Sequence, residues 1–80
     1  MPTKPILSPL PGTFYRRPAP DKPVYKEEGD QVAAGEIIGL IEVMKSFHEV
    51  HADVTGRIAK FLAENEDPVM AGQPLAEIEA

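Results

Sequence analysis

The chain has no cysteine and no tryptophan, and its basic side chains number eight against thirteen acidic ones, for a net charge of −5. Lacking cysteine, it can hold neither disulfide staples nor thiolate metal centres. No apolar run approaches the roughly 18 residues that a membrane span needs, so no membrane partner is expected. A basic, then apolar, then small-residue leader is also missing at Met1, which predicts a cytoplasmic location. The few lysines and arginines are scattered, an arrangement that argues against nucleic acid and favours basic surfaces on other proteins. Eighty residues bury only about 60% of the unfolded surface, which fits one domain over residues 1–80 without a deep substrate cavity and argues against a self-contained enzyme.

What is present is β-sheet grammar. Met1 to Pro5 reads as a frayed or edge-bound leader, Ile6 to Leu10 as a first strand, Pro11-Gly12 as a turn and Thr13-Phe14-Tyr15 as a second strand. Arg16 to Pro23 carries three prolines and reads as a stiff, extended, projecting segment. Turn signals follow at Gly29-Asp30 and Gly35. Glu36 to Ile41 is an apolar strand, and Phe47 to Val54 has the alternation of a half-buried one. Arg57 to Leu62 reads as strand, and no strong helical pattern occurs.

The chain repeats itself. Asp30, Val32, Ala34, Gly35, Ile38, Ile41 and Glu42 recur 37 residues later as Asp67, Val69, Ala71, Gly72, Leu75, Ile78 and Glu79. Gly12-Thr13-Phe14 resembles Gly56-Arg57-Ile58 at a spacing of 44, so the first half holds seven extra residues, placed by the prolines in a protruding loop around 17–24. Two halves of about four short strands predict an all-β sandwich with pseudo-two-fold symmetry. Continuing the repeat, the counterpart of Lys45 falls past Ala80, which predicts that Lys45 stands remote from Met1 and Ala80.

Between the two apolar strands stands Glu42-Val43-Met44-Lys45-Ser46, with the lysine at a hairpin tip. A lysine there commonly only blunts a sheet edge, but a tight turn also displays an amine reproducibly to an acylating enzyme. His48 and His51, three apart on a strand, point to opposite faces and make no metal site. Glu42, Glu49 and Asp53 are not arranged around a pocket, and the glycines form no phosphate loop. No catalytic residue is expected.

Glu42-Val43-Met44-Lys45, the Gly12-Thr13-Phe14-Tyr15 and Glu28-Gly29-Asp30 turns and the paired Ala-Gly signals resemble the biotinyl domain of biotin carboxyl carrier proteins, from Ile6 to Glu79. That resemblance implies a flattened eight-strand barrel-sandwich hybrid and a biotin covalently held on Lys45 by a biotin protein ligase, flanked by Glu42, Val43, Met44 and Ser46. It also implies a non-catalytic carrier that moves carboxybiotin between a biotin carboxylase and a carboxyltransferase, as in the acetyl-CoA carboxylase of fatty acid synthesis. The proline-rich insertion is similar to the "thumb" of bacterial acetyl-CoA carboxylase carriers, which leans toward the biotin. Val43 and Ser46 depart from the family's alanine and methionine. A lipoyl carrier, which usually has aspartate before its lysine, and an unmodified interaction domain of the same fold are the alternatives; Met44 favours biotin.

Overall fold

A computed structural model describes residues 3–79. Eight strands follow one another: β1 (Thr3–Leu7), β2 (Gly12–Tyr15), β3 (Gln31–Val32), β4 (Ile37–Val43), β5 (Ser46–His51), β6 (Gly56–Phe61), β7 (Asp67–Val69) and β8 (Pro74–Glu79). They form two four-stranded antiparallel sheets, ordered β1-β8-β6-β3 and β5-β4-β2-β7, in a flattened body of 37 × 27 × 19 Å. Consecutive strands fall in opposite sheets at every link except β4 to β5. Those two strands, with Val43 opposite Ser46, make the only hairpin between sequential strands among the described residues.

The internal repeat is a structural one. Shifting β2 by 44 residues gives β6, and shifting β4 by 37 gives β8, so one sheet maps onto the other strand by strand. The turn bonds map as well: the Glu27 amide donates to Asp30 Oδ2 and the Glu64 amide to Asp67 Oδ2, both at 2.9 Å. Ala33 N donates to Glu36 Oε1 and Met70 N to Gln73 Oε1. The largest fully buried side chains are three repeat pairs, Phe14 with Ile58, Ile38 with Leu75 and Ile41 with Ile78. Removing each from water contributes about 1.5–3 kcal/mol. Ile6 and Val50, and Val32 and Val69, complete the same cluster.

Several expectations need correction. Of the two readings of the leader, frayed or edge-bound, Thr3, Lys4 and Pro5 take the second: they pair with Glu79, Ile78 and Glu77, and Pro5 is tolerated because β1 is an edge strand. Met1 and Pro2 lie outside the described residues. The first strand ends at Leu7, where Ser8 turns the chain toward the second sheet and Pro9 and Pro11 prevent further pairing. β5 ends at His51, and of its residues only Val50 is buried; Phe47 is 55% exposed, because its edge strand leaves that side chain uncovered. The segment after Tyr15 is not extended throughout. It reverses where the Lys22 amide donates to the Ala19 carbonyl at 3.0 Å.

Lys45 is expected to be remote from Met1 and Ala80, which are outside the described residues. Thr3 and Glu79, paired to each other, belong to the sheet that lacks Lys45, and the repeat carries that pair onto Phe47 and Glu42 at the root of the hairpin.

The repeat also fixes two glycines. A Cβ on Gly12 would run into the Glu42 carbonyl oxygen and come within 2.8 Å of Ile41 Cγ2; on Gly56 it would run into the Glu79 carbonyl and come within 2.8 Å of Ile78 Cγ2. Both obstacles are backbone and core, which cannot swing aside. Gly56→Ala is therefore expected to cost about 1–3 kcal/mol by overpacking, measured by urea unfolding; a loss below about 0.5 kcal/mol would mean that β6 and β8 are less closely apposed.

Candidate functional site

The site is built from the hairpin outward. Val43 is half-buried against the core and holds the stem of β4, while Ser46 starts β5 on the exposed side. Two residues, Met44 and Lys45, bridge the strands with φ of 50° and 68°. Positive φ at both central positions is the requirement of a type I′ turn, whose twist matches that of the flanking strands. Such turns normally use Asn-Gly, and here two residues with full side chains accept the left-handed conformation. The consequence is display: Met44 is 93% exposed, Lys45 is exposed too, and none of the ion pairs among the described residues involves Lys45.

Beneath the tip, Glu42 is half-buried and accepts a hydrogen bond from Tyr15 Oη at 3.0 Å. Bonding to that carboxylate, more than desolvation, raises the Tyr15 phenol above the usual tyrosine value. The Tyr15 ring also meets Phe47, centroids 6.0 Å apart and planes tilted by 55°, a favourable aromatic geometry. These side chains line a cleft of about 310 Å³ together with Arg17, Pro18, Ala19 and Pro20 of the proline-rich segment and with Asn65 and Glu66. The segment closes on itself, since the Tyr25 amide donates to the Arg16 carbonyl at 2.9 Å. Residues 17–24 are thus a self-contained excursion from a continuous scaffold.

Of the residues singled out from sequence, Glu42, Val43, Met44, Lys45 and Ser46 share the hairpin, but only Glu42 lines the cleft. Tyr15, Phe47, Arg17, Pro18 and Pro20 were not identified as site residues. The retrievable signal was register: a strand ending in Tyr15 at the edge of the insertion is the one that pairs with the strand carrying Glu42. Phe47 could not be found that way, because an apolar residue in an alternating strand reads as core. His51 lies beside Glu49, Nε2 to Oε1 at 3.2 Å, and among the described residues no three His, Asp or Glu side chains gather as a metal site.

Comparison with known proteins gives consistent matches. The family model described as "Biotin-requiring enzyme" matches residues 4–78. The chain is 44% identical over 73 residues to the biotin carboxyl carrier protein of acetyl-CoA carboxylase of Nostoc sp., covering 91% of this chain and 40% of that protein. The corresponding protein of Chlamydia pneumoniae is 45% identical over 73 residues, covering 91% and 44%. The chloroplastic carrier protein 2 of Arabidopsis thaliana is 44% identical over 71 residues, covering 89% and 28%. This chain therefore spans less than half the length of these curated relatives. Among solved structures, the Kluyveromyces lactis urea carboxylase superposes with a TM-score of 0.79 at 32% identity, over 99% of this chain and 6% of that one.

The Tyr15–Glu42 bond has a titration signature. Because the folded-state pKa of Tyr15 is raised, its contribution to stability is complete below the unfolded value near 10 and is lost as pH rises through the folded value. In a Tyr25→Phe background, which leaves Tyr15 as the only phenol, phenolate absorbance should appear at higher pH than for free tyrosine. Glu42→Gln should lower that midpoint by removing the charged acceptor. An unchanged midpoint would show that the bond does not form in solution.

Proposed function

Because the chain belongs to the family of biotin-requiring enzymes, we propose that it is a biotin carboxyl carrier domain over residues 1–80, with Lys45 as the biotinylated residue. The observation that carries this reading is an exposed lysine at the tip of a tight hairpin, the only one between sequential strands among the described residues, where it has no ion-pair partner. The matched family model spans the hairpin and both sheets and supports it.

The chemistry asked of this chain is small. Deprotonated Nζ of Lys45 attacks the acyl carbon of an activated biotin carboxyl; the amide bond forms, the activating group leaves with its electron pair, and Nζ gives up a proton, so the positive charge disappears. A biotin protein ligase supplies activation, and no side chain of the carrier is needed as acid or base. Once bound, biotin supplies a ring that can accept a carboxyl group at one active site and release it at another. The carrier's own part is tethering, which raises the local concentration of the ring at each active site. Biotin carboxylase and carboxyltransferase are the two partners, in the cytoplasm, and the relatives' names support an acetyl-CoA carboxylase as the parent enzyme.

The cleft fits such a group. Its volume is at the lower end of small-ligand sites, and the rings of Tyr15 and Phe47 line it together with Pro18 and Pro20. In this reading the 17–24 loop acts as a thumb that shields the ring from water between transfers and damps the swing of the arm.

Two measurements test these assignments. Lys45→Arg retains charge and an exposed position, so stability should change by less than about 0.5 kcal/mol. Intact mass after incubation with biotin, ATP and a biotin ligase should rise by one biotinyl group for the wild type and not for the variant; labelling of the variant at Lys26 or Lys60 would refute Lys45 as the displayed amine.

The loop can be tested separately. Since Arg16 O and Tyr25 N already bond, replacing 17–24 by Asn-Gly turns that contact into the i to i+3 bond of a β-turn and should leave the sandwich folded and Lys45 biotinylated. The attached biotin should become more mobile by NMR, and unaltered mobility would make the loop a bystander.

A further inference from the structure

The loop can shape the cleft only if its own orientation is fixed, and one residue outside the cleft connects it to both sheets. Arg16 directly follows β2. Its backbone amide donates to Asn65 Oδ1 at 2.8 Å, and its carbonyl accepts the Tyr25 amide at 2.9 Å, closing the loop. Its guanidinium then reaches past the returning chain: Nη2 donates to the Lys26 carbonyl at 3.2 Å, while Cζ stands 4.1 Å from the centroid of the Phe61 ring. Phe61 belongs to β6, in the sheet opposite to that of β2. One side chain thus ties the outgoing foot of the loop, its return at Lys26 and the second sheet.

The geometry suits arginine and not lysine. A planar guanidinium can lie on an aromatic face and donate in its own plane at once, whereas an ammonium is a point donor on a flexible stem. The internal repeat supplies a comparison within the same molecule. The counterpart of Arg16 at a spacing of 44 is Lys60, where no loop is inserted; that lysine is exposed and lies 3.8 Å from Glu77. Arg16 Nε is buried without a partner, and Glu28, which lines the same depression, receives the Phe61 amide instead. Arg16 is therefore held by the ring and the Lys26 carbonyl, with no ion pair recorded for it among the described residues.

We infer that Arg16 is a positioning residue of the carrier: by clamping both feet of the 17–24 loop to Phe61 and Lys26, it sets how Pro18 and Pro20 stand over the cleft beside Glu42 and Phe47. Pro18, Pro20 and Pro23 have fixed φ, so a change of angle at the feet reaches the tip without being absorbed on the way. The inference rests on the carrier reading for its effect on transfer, but the clamp itself can be measured without biotin.

The test uses the full chain with Arg16→Met and Arg16→Lys, each also placed in the chain whose 17–24 loop is replaced by Asn-Gly. In the unmodified wild-type-loop proteins, amide exchange at Tyr25 should accelerate by about tenfold in both Arg16 variants, as expected for local opening after loss of a stacked, hydrogen-bonded group. Exchange at Ile41 and Ile78 in the core should stay as it was. In the biotinylated proteins, the ratio of kcat to KM for carboxylation by a biotin carboxylase should change on Arg16→Met with the loop present and remain constant in the loop-replaced background. Unchanged Tyr25 exchange, wild-type behaviour of Arg16→Lys, or an equal kinetic effect in both backgrounds would overturn the inference. If Arg16→Met does not fold, Phe61→Leu removes the same stack from the other side and is read in the same way. Failure of the wild type to take up biotin would remove the carrier reading and leave the exchange experiment to decide the clamp.

Discussion

The packing of Phe14, Ile38 and Ile41 with Ile58, Leu75 and Ile78 is the contact on which the molecule depends, because each half of the repeat contributes three of these side chains and neither half encloses them alone. The chain changes sheet at almost every link, so the two halves are interleaved and not merely docked. An isolated half would leave its apolar face in water, and at this size there is little other buried surface to compensate. The close approaches at Gly12 and Gly56 serve the same end: they let β2 and β6 run against the backbone of β4 and β8, their neighbours in the same sheets.

The candidate site lies where the symmetry fails. Turns, core positions and close glycines occur in pairs, but the β4–β5 hairpin corresponds to Thr3 and Glu79 in the other half, and the 17–24 loop has no counterpart. Residues of both, Glu42 and Phe47 of the hairpin strands and Arg17 to Pro20 of the loop, line one cleft. The paired glutamates show the same divergence. Glu79 is engaged by the Arg57 guanidinium, whereas Glu42 receives only the neutral hydroxyl of Tyr15. An ion pair ties one carboxylate into the scaffold, and the other accepts a hydrogen bond at the root of the lysine hairpin.

The symmetric part was legible in the sequence because a repeat at two spacings fixes which residues occupy equivalent positions, and the difference between the spacings located the insertion. Strand Arg57 to Leu62 and the hairpin at Met44-Lys45 followed from turn spacing and alternation. Phe47 did not: alternation says which residues share a face, not whether anything covers that face, and an edge strand covers less than an interior one. Pro5 left frayed and edge-bound undecided, since missing ladder donors are harmless on an edge. Arg16 was invisible as a site residue because its partners, Lys26, Phe61 and Asn65, are distant in sequence and are assembled only by the closing of the two sheets.

The turn at Met44 and Lys45 explains why the hairpin has not become the most stable one its strands could support. Left-handed backbone costs a residue with a side chain about 1–2 kcal/mol, and at Met44 the exposed side chain recovers almost none of this by packing. Asn-Gly would relieve the strain and delete the amine. A wider loop would keep a lysine but let it wander, which lowers the fraction of time that Nζ occupies a position an acylating enzyme can use. A two-residue I′ turn is a short connection that holds β4 and β5 in register while leaving a lysine exposed. The strain is sustained because Val43 on one side and the pairing of Ile41, Glu42 and Val43 with His48, Phe47 and Ser46 on the other fix the ends of the turn.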